Sequence, residues 1–508
     1  MKLLPLARSL SLAAALAATA SPALALRHAK HHHSESALRP GSDAVSWLRA
    51  SEGRRLVTGE TNYQLEMMSR DEQSFLGGAA GLIQHDIENR WQSAAGNDGP
   101  HVITVGNATL RNLGTVRDGR GYSAYDWLSF DHAGEGGALN DLRQLLVSLA
   151  LLGREMGMDD SDISGVLLES MRTYRDAVDR FAGSPHASEY AMTSERANTW
   201  TRRMLNTASH RRREDLLNRW TVVGHEGRRF KLEGEFTSIE PAQAQAYWQA
   251  LQGLKTDPRP PSYWLVKDAV VRSEDGKHRG PHHHVYLLIE GPTASVEDDF
   301  ILEAYLPAQP ARHVQWAAWK LRRTPEPFFG VIEVGGQDFL LREVQPELMP
   351  FGEERVEGMD DYYDVGRAAA TLLARAHGAT ATSAEEVHHF AHEWIENPQS
   401  IEASLGHFAM RYAEQVRVDH ASLAAHWSPS HTLVRHTHAG HKAHVAVTGT
   451  AVTPPAQATP KAGTLGKAAV TVPPPPPKIE TPAPAGPPPT TPPPPPAQTP
   501  LQPPDEGR

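Results

Sequence analysis

Gly106-Asn107-Ala108-Thr109-Leu110-Arg111-Asn112 is the stretch on which the reading of this chain turns. Ahead of it, His101 to Val105 alternates like a short strand. Behind it, Val116-Arg117-Asp118-Gly119 reads as a turn and Tyr122 to Phe130 as a second extended run. The seven residues are therefore a polar loop between strands, with Asn107 and Asn112 offering amides and Thr109 a hydroxyl. None of these groups takes up a proton near neutral pH, so the loop supplies no general base.

Working outward, Gly136-Gly137 leads into an apolar helix from Ala138 to Met156, with Leu142, Leu145, Leu146, Leu149 and Leu152 on one face. A helix over 70–91 precedes the strands, and helical patterns continue after Met156 to about Trp220. Val285 to Glu290 and Phe300 to Leu306 read as strands, and Phe329–Val334 with Phe339–Val344 as a hairpin around Gly335-Gly336. Long helices follow at Tyr362–His377 and Ile401–His426. The order of helices, sheet, helices, sheet and helices predicts an α+β protein: one helix-rich body with two small antiparallel sheets and disordered ends.

The ends differ in composition from this body. Residues 1–25 have the layout of a secretory signal: Lys2 and Arg8, an apolar run from Leu10 to Ala20, then Ala23-Leu24-Ala25 as a cleavage site. The run falls short of the ~20 residues a membrane helix needs, so cleavage is expected rather than anchoring. No later segment is apolar enough to span a bilayer, and the mature protein is expected to be exported, to the periplasm or beyond. Residues 26–43 form a His-rich leader, 44–428 the folded body, and 429–508 a tail that is first His-rich and then Pro-rich. Extended as polyproline II at ~3.1 Å per residue, the Pro-rich part would reach roughly 170 Å. An envelope or cell-wall partner reached through this tail is one reading; an inert disordered tail is the other.

The chain has no cysteine, which excludes disulfides, thiolate metal sites and a cysteine nucleophile. Its net charge of −10 argues against a general nucleic-acid binder. Arg211-Arg212-Arg213, followed at once by Glu214 and Asp215, reads as a solvated helix face.

In kinases of the aminoglycoside and choline type the loop reads Gly-Asp-x-His-x-x-Asn, and Gly106 to Asn112 resembles it with Asn107 at the Asp position and Thr109 at the His position. The whole chain resembles a bacterial family known as domain of unknown function 2252, whose motifs are similar to those of small-molecule kinases. Its Phe-Phe-Arg-Gly corresponds to Phe75-Leu76-Gly77-Gly78, and its Phe-Asp-x-Asn-Asp-Phe-Asp-Glu to Tyr125 through His132. Its Trp-Asp-Leu-x-Arg-Leu corresponds to Asn140 through Leu145. The glycine loop falls near Gly276 to Gly280, and the lysine strand near Glu303-Ala304-Tyr305-Leu306. Closer matches are Phe339 through Pro346, Leu373-Ala374-Arg375-Ala376-His377, and Phe408 through Gln415. These fall in one collinear order from about Leu65 to Leu423.

The resemblance implies a protein-kinase-like body in permuted order, because the catalytic loop precedes the glycine loop and lysine strand. It implies Mg²⁺ and a nucleotide as cofactors, with Asn112, Asp126 and Asp131 as metal ligands and Gly276 and Gly280 in the phosphate loop. It also implies what is missing: the base at Asn107, the lysine at the approximate place of Tyr305 and much of the glycine loop. The expected function is that of an exported, catalytically degenerate binding or scaffold protein of the cell envelope. The alternatives are a divergent Mg²⁺-dependent phosphotransferase and an envelope metal-binding protein. For the last, His388 and His392 share a helix face at a Zn²⁺-compatible spacing, and His31 to His33 and His426 to His444 cluster. Solvated polar segments are the simpler reading of those histidines, and His377 reads as a structural residue at a helix end.

Overall fold

The computed structural model describes residues 38–51, 65–91, 98–225, 227–232, 236–253, 261–272, 284–322, 326, 328–352 and 355–426. The expected signal peptide, most of the leader, Gly276, Gly280 and the tail lie outside these residues.

Phe75 to Gly78 lies in α2 (Glu72–Gly78), which follows α1 (Gly41–Ser51) and a helical turn at residues 65–68 and precedes α3 (Ala80–Arg90). The single helix expected over 70–91 is thus two. Asp71 starts α2 by accepting the Ser74 amide, and the consecutive Gly77 and Gly78, weak helix formers, end it at Ala79.

Four short strands frame the loop: β1 (His101–Thr104), β2 (Leu113–Arg117), β3 (Ser123–Trp127) and β4 (Gly134–Gly137). β2 and β3 form a hairpin in which Gly114 faces Asp126. The glycine-rich β4, which carries no strand signal, pairs with β1 across the loop's far side. The helices α4 (Ala138–Glu155), α5 (Asp160–Phe181), α6 (Thr199–Ser209) and α7 (Arg213–Trp220) follow.

A larger sheet comes next. β5 (Thr221–Gly224) and β6 (Gly227–Phe230) pair as a hairpin, and β7 (Phe236–Ser238), α8 (Pro241–Gln252), β8 (Val266–Arg272), β9 (His284–Ile289) and β10 (Phe300–Tyr305) succeed them. Helix α9 (Ala311–Leu321) separates β10 from β11 (Gly330–Val334) and β12 (Gln337–Glu343). The six strands are ordered β11-β12-β10-β9-β8-β7, and all neighbours are antiparallel. Alternation along β9 sends Leu287 and Ile289 to a core with α8, and Tyr286 and Leu288 to a core with Trp220 of α7. Gly335 and Gly336 turn the β11–β12 hairpin with φ of 60° and 78°, a region that disfavours other residues.

The chain closes with β13 (Met349–Pro350), added to the edge of β2, and with α10 (Met359–Thr380), α11 (Ala384–Glu396) and α12 (Pro398–His426). Helices α4, α5, α10 and α12 pack into the main core, where Leu142, Leu145, Leu146, Leu149 and Leu152 are all buried. Tyr305, the last residue of β10, and Leu340, which faces it on β12, belong to this helical core rather than to the sheet's own. The protein is therefore mixed α+β with small sheets, but its described strands form four sheets where the sequence pattern suggests two. Local alternation reveals strands, not which of them pair. No described helix is long and apolar enough to cross a membrane.

Candidate functional site: a neutralised cleft

Helix α4 holds the loop by its polar face. Asp141 accepts the amides of Val105 (2.6 Å) and Gly106 (3.0 Å). Gln144 accepts that of Ala108 (3.1 Å), and Ser148 that of Leu110 (3.0 Å). The three acceptors follow one another at helical spacing, so one stripe of α4 satisfies successive loop amides. Gly106 has φ +76°, and a Cβ there would stand 1.8 Å from the His132 carbonyl, so only glycine fits.

Within the loop the side chains satisfy one another. Asn107 Nδ2 donates to the Gly77 carbonyl (3.1 Å), and Thr109 Oγ1 donates to Asn107 Oδ1 (3.1 Å). Asn112 Nδ2 donates to the carbonyls of Asn107 and Ser129, while its Oδ1 accepts the Ser129 amide (2.8 Å). Asn107 sits where the family has its Asp, and a carboxylate there would face the Gly77 carbonyl with no proton to donate. The surroundings are built for an amide.

Tyr305 enters from the sheet. Its hydroxyl donates to Asp131 Oδ1 (3.1 Å), while its ring lies flat on His284 (centroids 5.2 Å, 5°) and under the Arg342 guanidinium (5.0 Å). Glu303, next but one along β10, binds Arg342 (2.6 Å), His284 (2.8 Å) and the Tyr286 hydroxyl (2.9 Å). Burial alone would raise the Glu303 carboxyl, but Arg342 and His284 hold it well below the usual range. Burial, reinforced by Asp131, pushes the Tyr305 phenol well above its usual value, so it stays a donor.

Asp126 does not join Asn112 and Asp131. Its Oδ1 accepts from Arg375 Nη2 (2.7 Å) and the Trp127 amide (2.8 Å), and Arg322 Nε approaches Oδ2 at 3.7 Å. Arg322 in turn binds Glu326 and the Trp127 carbonyl. Two residues beyond Arg375, His377 is fully buried, with Nε2 3.0 Å from Asp141 Oδ2 and Nδ1 2.8 Å from the Tyr174 hydroxyl. Helix α10 thus clamps the carboxylate of β3 and the carboxylate that holds the loop.

Asn107, Thr109, Asn112, Asp131, Tyr305 and Gly77 line one open cleft of ≈ 410 Å³. Arg111, bound to Ser74 (2.7 Å) and Asp71 (3.2 Å), is the one Lys or Arg among its described lining residues. Mg²⁺ does not fit here as expected. Asp131 is the lone carboxylate among the described lining residues and is taken by Tyr305, the Asn112 oxygen already accepts an amide, and arginine neutralises Asp126. No group of three or more His, Asp or Glu suited to a metal occurs among the described residues. His388 and His392 each face a separate carboxylate, Asp179 (2.7 Å) and Glu396 (3.6 Å).

Residues 55–426 match the sequence model of a family described as "Uncharacterized protein conserved in bacteria (DUF2252)". The chain belongs to the DUF2252 family. No curated protein and no solved structure matches it. Against the DUF2252 motifs quoted above, the departures fall together in space. In that comparison Gly77 falls at the Arg, Asn107 at the Asp and Thr109 at the His, with Tyr305 only at the approximate place of the Lys, and these four residues line the cleft. The matching residues Asp126, Asp141, Arg375 and His377 lie behind it and are buried. The sequence motifs of DUF2252 flagged these framework residues without showing their partners; Gln144 and Ser148 carried no signal beyond being polar positions on an apolar helix.

Proposed function

We propose that this DUF2252 protein is an exported, kinase-like protein without phosphotransferase activity, whose cleft serves binding or scaffolding in the cell envelope. The observation that carries this reading is the convergence of the four departures on one cleft whose framework is kept. The changed residues hydrogen-bond to one another and to their neighbours, so the cleft is rebuilt around neutral groups rather than merely damaged. A kinase needs a base, a lysine paired with a helix carboxylate, and metal-binding oxygens. Here the base position holds Asn107, and Tyr305 lies at the approximate place of the lysine. Helix α9, which follows the lysine strand, contains no Asp or Glu. Losing several members of one catalytic unit leaves little for the rest to do.

The kinase likeness draws further support from a strand bearing the lysine position, a following helix and two more strands of the same sheet. Export rests on the charged, apolar and small-residue pattern of residues 1–25. The test is thermal unfolding with millimolar ATP or GTP and Mg²⁺, run beside a phosphotransfer assay. No shift and no product are expected. A saturable Mg²⁺-dependent shift that Asp131→Asn abolishes, together with product, would establish a divergent phosphotransferase instead. Recovery of the unprocessed chain from the cytoplasm alone would remove the envelope part of the proposal.

A further inference from the structure

A second cavity of ≈ 840 Å³ opens beside the β2–β3 turn, between the end of α5 and residues 184–196. Three guanidiniums stand around it, each lying against an aromatic ring: Arg120 on Tyr122 (5.7 Å), Arg180 on Phe181 (5.6 Å) and Arg196 on Tyr190 (5.4 Å). An aromatic face steadies a cation without cancelling its charge, leaving N–H donors for another partner. Arg120 is also bound by Asp118 (2.9 Å), and the rim carries Glu189, which His186 meets at 3.2 Å, and Glu195.

A narrow pocket of ≈ 10 Å³, room for about one oxygen, shares Arg120, Glu189 and Tyr190 with this cavity; Arg322 and Arg375 line it together with the carboxylates of Asp118 and Asp126. Arg375 is 1% exposed; it reaches the Tyr190 carbonyl at 3.4 Å, and its Nε has no hydrogen-bond partner. Burial raises the Tyr190 phenol, and Arg196, Arg375 and Arg180 all act on it in the opposite sense, so their positive field meets at one ring.

We propose that this cavity binds a soluble phosphate monoester, its dianionic head among Arg120, Arg180 and Arg196 and its organic part on the exposed Tyr122 ring. Guanidiniums match the oxygens of a phosphoryl group in pairs, and three of them around one cavity favour a dianion over a single carboxylate. The site is separate from the cleft and does not depend on the function proposed for it.

The test is calorimetric titration of the full chain with glycerol phosphate and with inorganic phosphate, at constant ionic strength held with chloride. Saturable binding is expected, and the exposed-site double variant Arg180→Ala/Arg196→Ala should weaken it at least ~10-fold, the loss of one or two charge-assisted contacts. Arg312→Ala removes an exposed arginine bound to Asp338 elsewhere and should leave the affinity unchanged. Absence of saturable binding, or an equal loss in the Arg312→Ala variant, overturns the site. Binding only to phosphatidylcholine vesicles carrying phosphatidic acid overturns the soluble ester as its ligand.

Discussion

The hydroxyl of Tyr305 donates to the carboxylate of Asp131 at 3.1 Å, joining the last residue of a central sheet strand to the segment that follows the β2–β3 hairpin. Tyr305 lies at the approximate place of the lysine in the family's motif, and Asp131 is the one carboxylate lining the cleft among the described residues. An uncharged donor thus binds the carboxylate that a kinase-like site would spend on metal. The contact occupies one oxygen of that carboxylate.

Tyr305→Phe keeps the ring between His284 and Arg342 but removes that donor. The loss should be about 1 kcal/mol, a single hydrogen bond to a charged acceptor in a partly wet cleft. Urea unfolding measures it, and Asp131→Asn in the same background should add little, because the two residues share one interaction.

Asn107→Asp places a carboxylate 3.1 Å from the Gly77 carbonyl oxygen, where the amide now donates. Destabilisation of about 1–3 kcal/mol is expected, the cost of a lost donor and an unsatisfied acceptor. A protonated carboxyl at this position could still donate, so the deficit relative to the parent should grow as pH rises. Restoring the family's Asp alone should yield no phosphotransferase product.

Arg375→Met strips the buried Asp126 of its closest cation. A cost of about 3–5 kcal/mol is expected, because the uncompensated charge stays in the core. Adding Asp126→Asn should return part of that stability, so the double variant should unfold at higher denaturant than the single one.

A separate buried network gives a pH dependence. Arg39 binds both Asp86 (2.7 Å) and Asp419 (2.6 Å), and Gln415 and Tyr412 complete their hydrogen bonds. Burial pushes the Asp419 carboxyl up to about 7 despite the opposing effect of Arg39. Its folded value lies above its unfolded one, so the native state holds the extra proton between them. Its contribution is fully present below the unfolded value of about 4 and is lost as pH rises through about 7. Asp419→Asn should remove this slope, on the order of 1 kcal/mol per pH unit in that window. Melting temperatures of parent and variant across that window, taken as a difference, check it.

Much of the architecture was legible from local pattern. The leucine face of α4, the hairpin at Gly335-Gly336, both long C-terminal helices and the loop between strands follow from spacing and glycine placement, which act over a few residues. Collinear motifs were enough to identify the family. What the sequence could not hold was partnership. Asp126 reads equally well as a metal ligand or as half of an ion pair, and Arg375, 249 residues away, decides the matter. Asp131 is free on paper and bound by Tyr305, 174 residues on, in the fold. Asp141 looks like one more helical carboxylate until it meets the amides of Val105 and Gly106. Secondary structure is written in short-range periodicity, whereas the chemistry of a charged group depends on whatever distant segment packs against it. By itself the sequence determined most of the elements, the family and the absence of a basic side chain at Asn107; the tertiary structure decided that the remaining carboxylates are occupied.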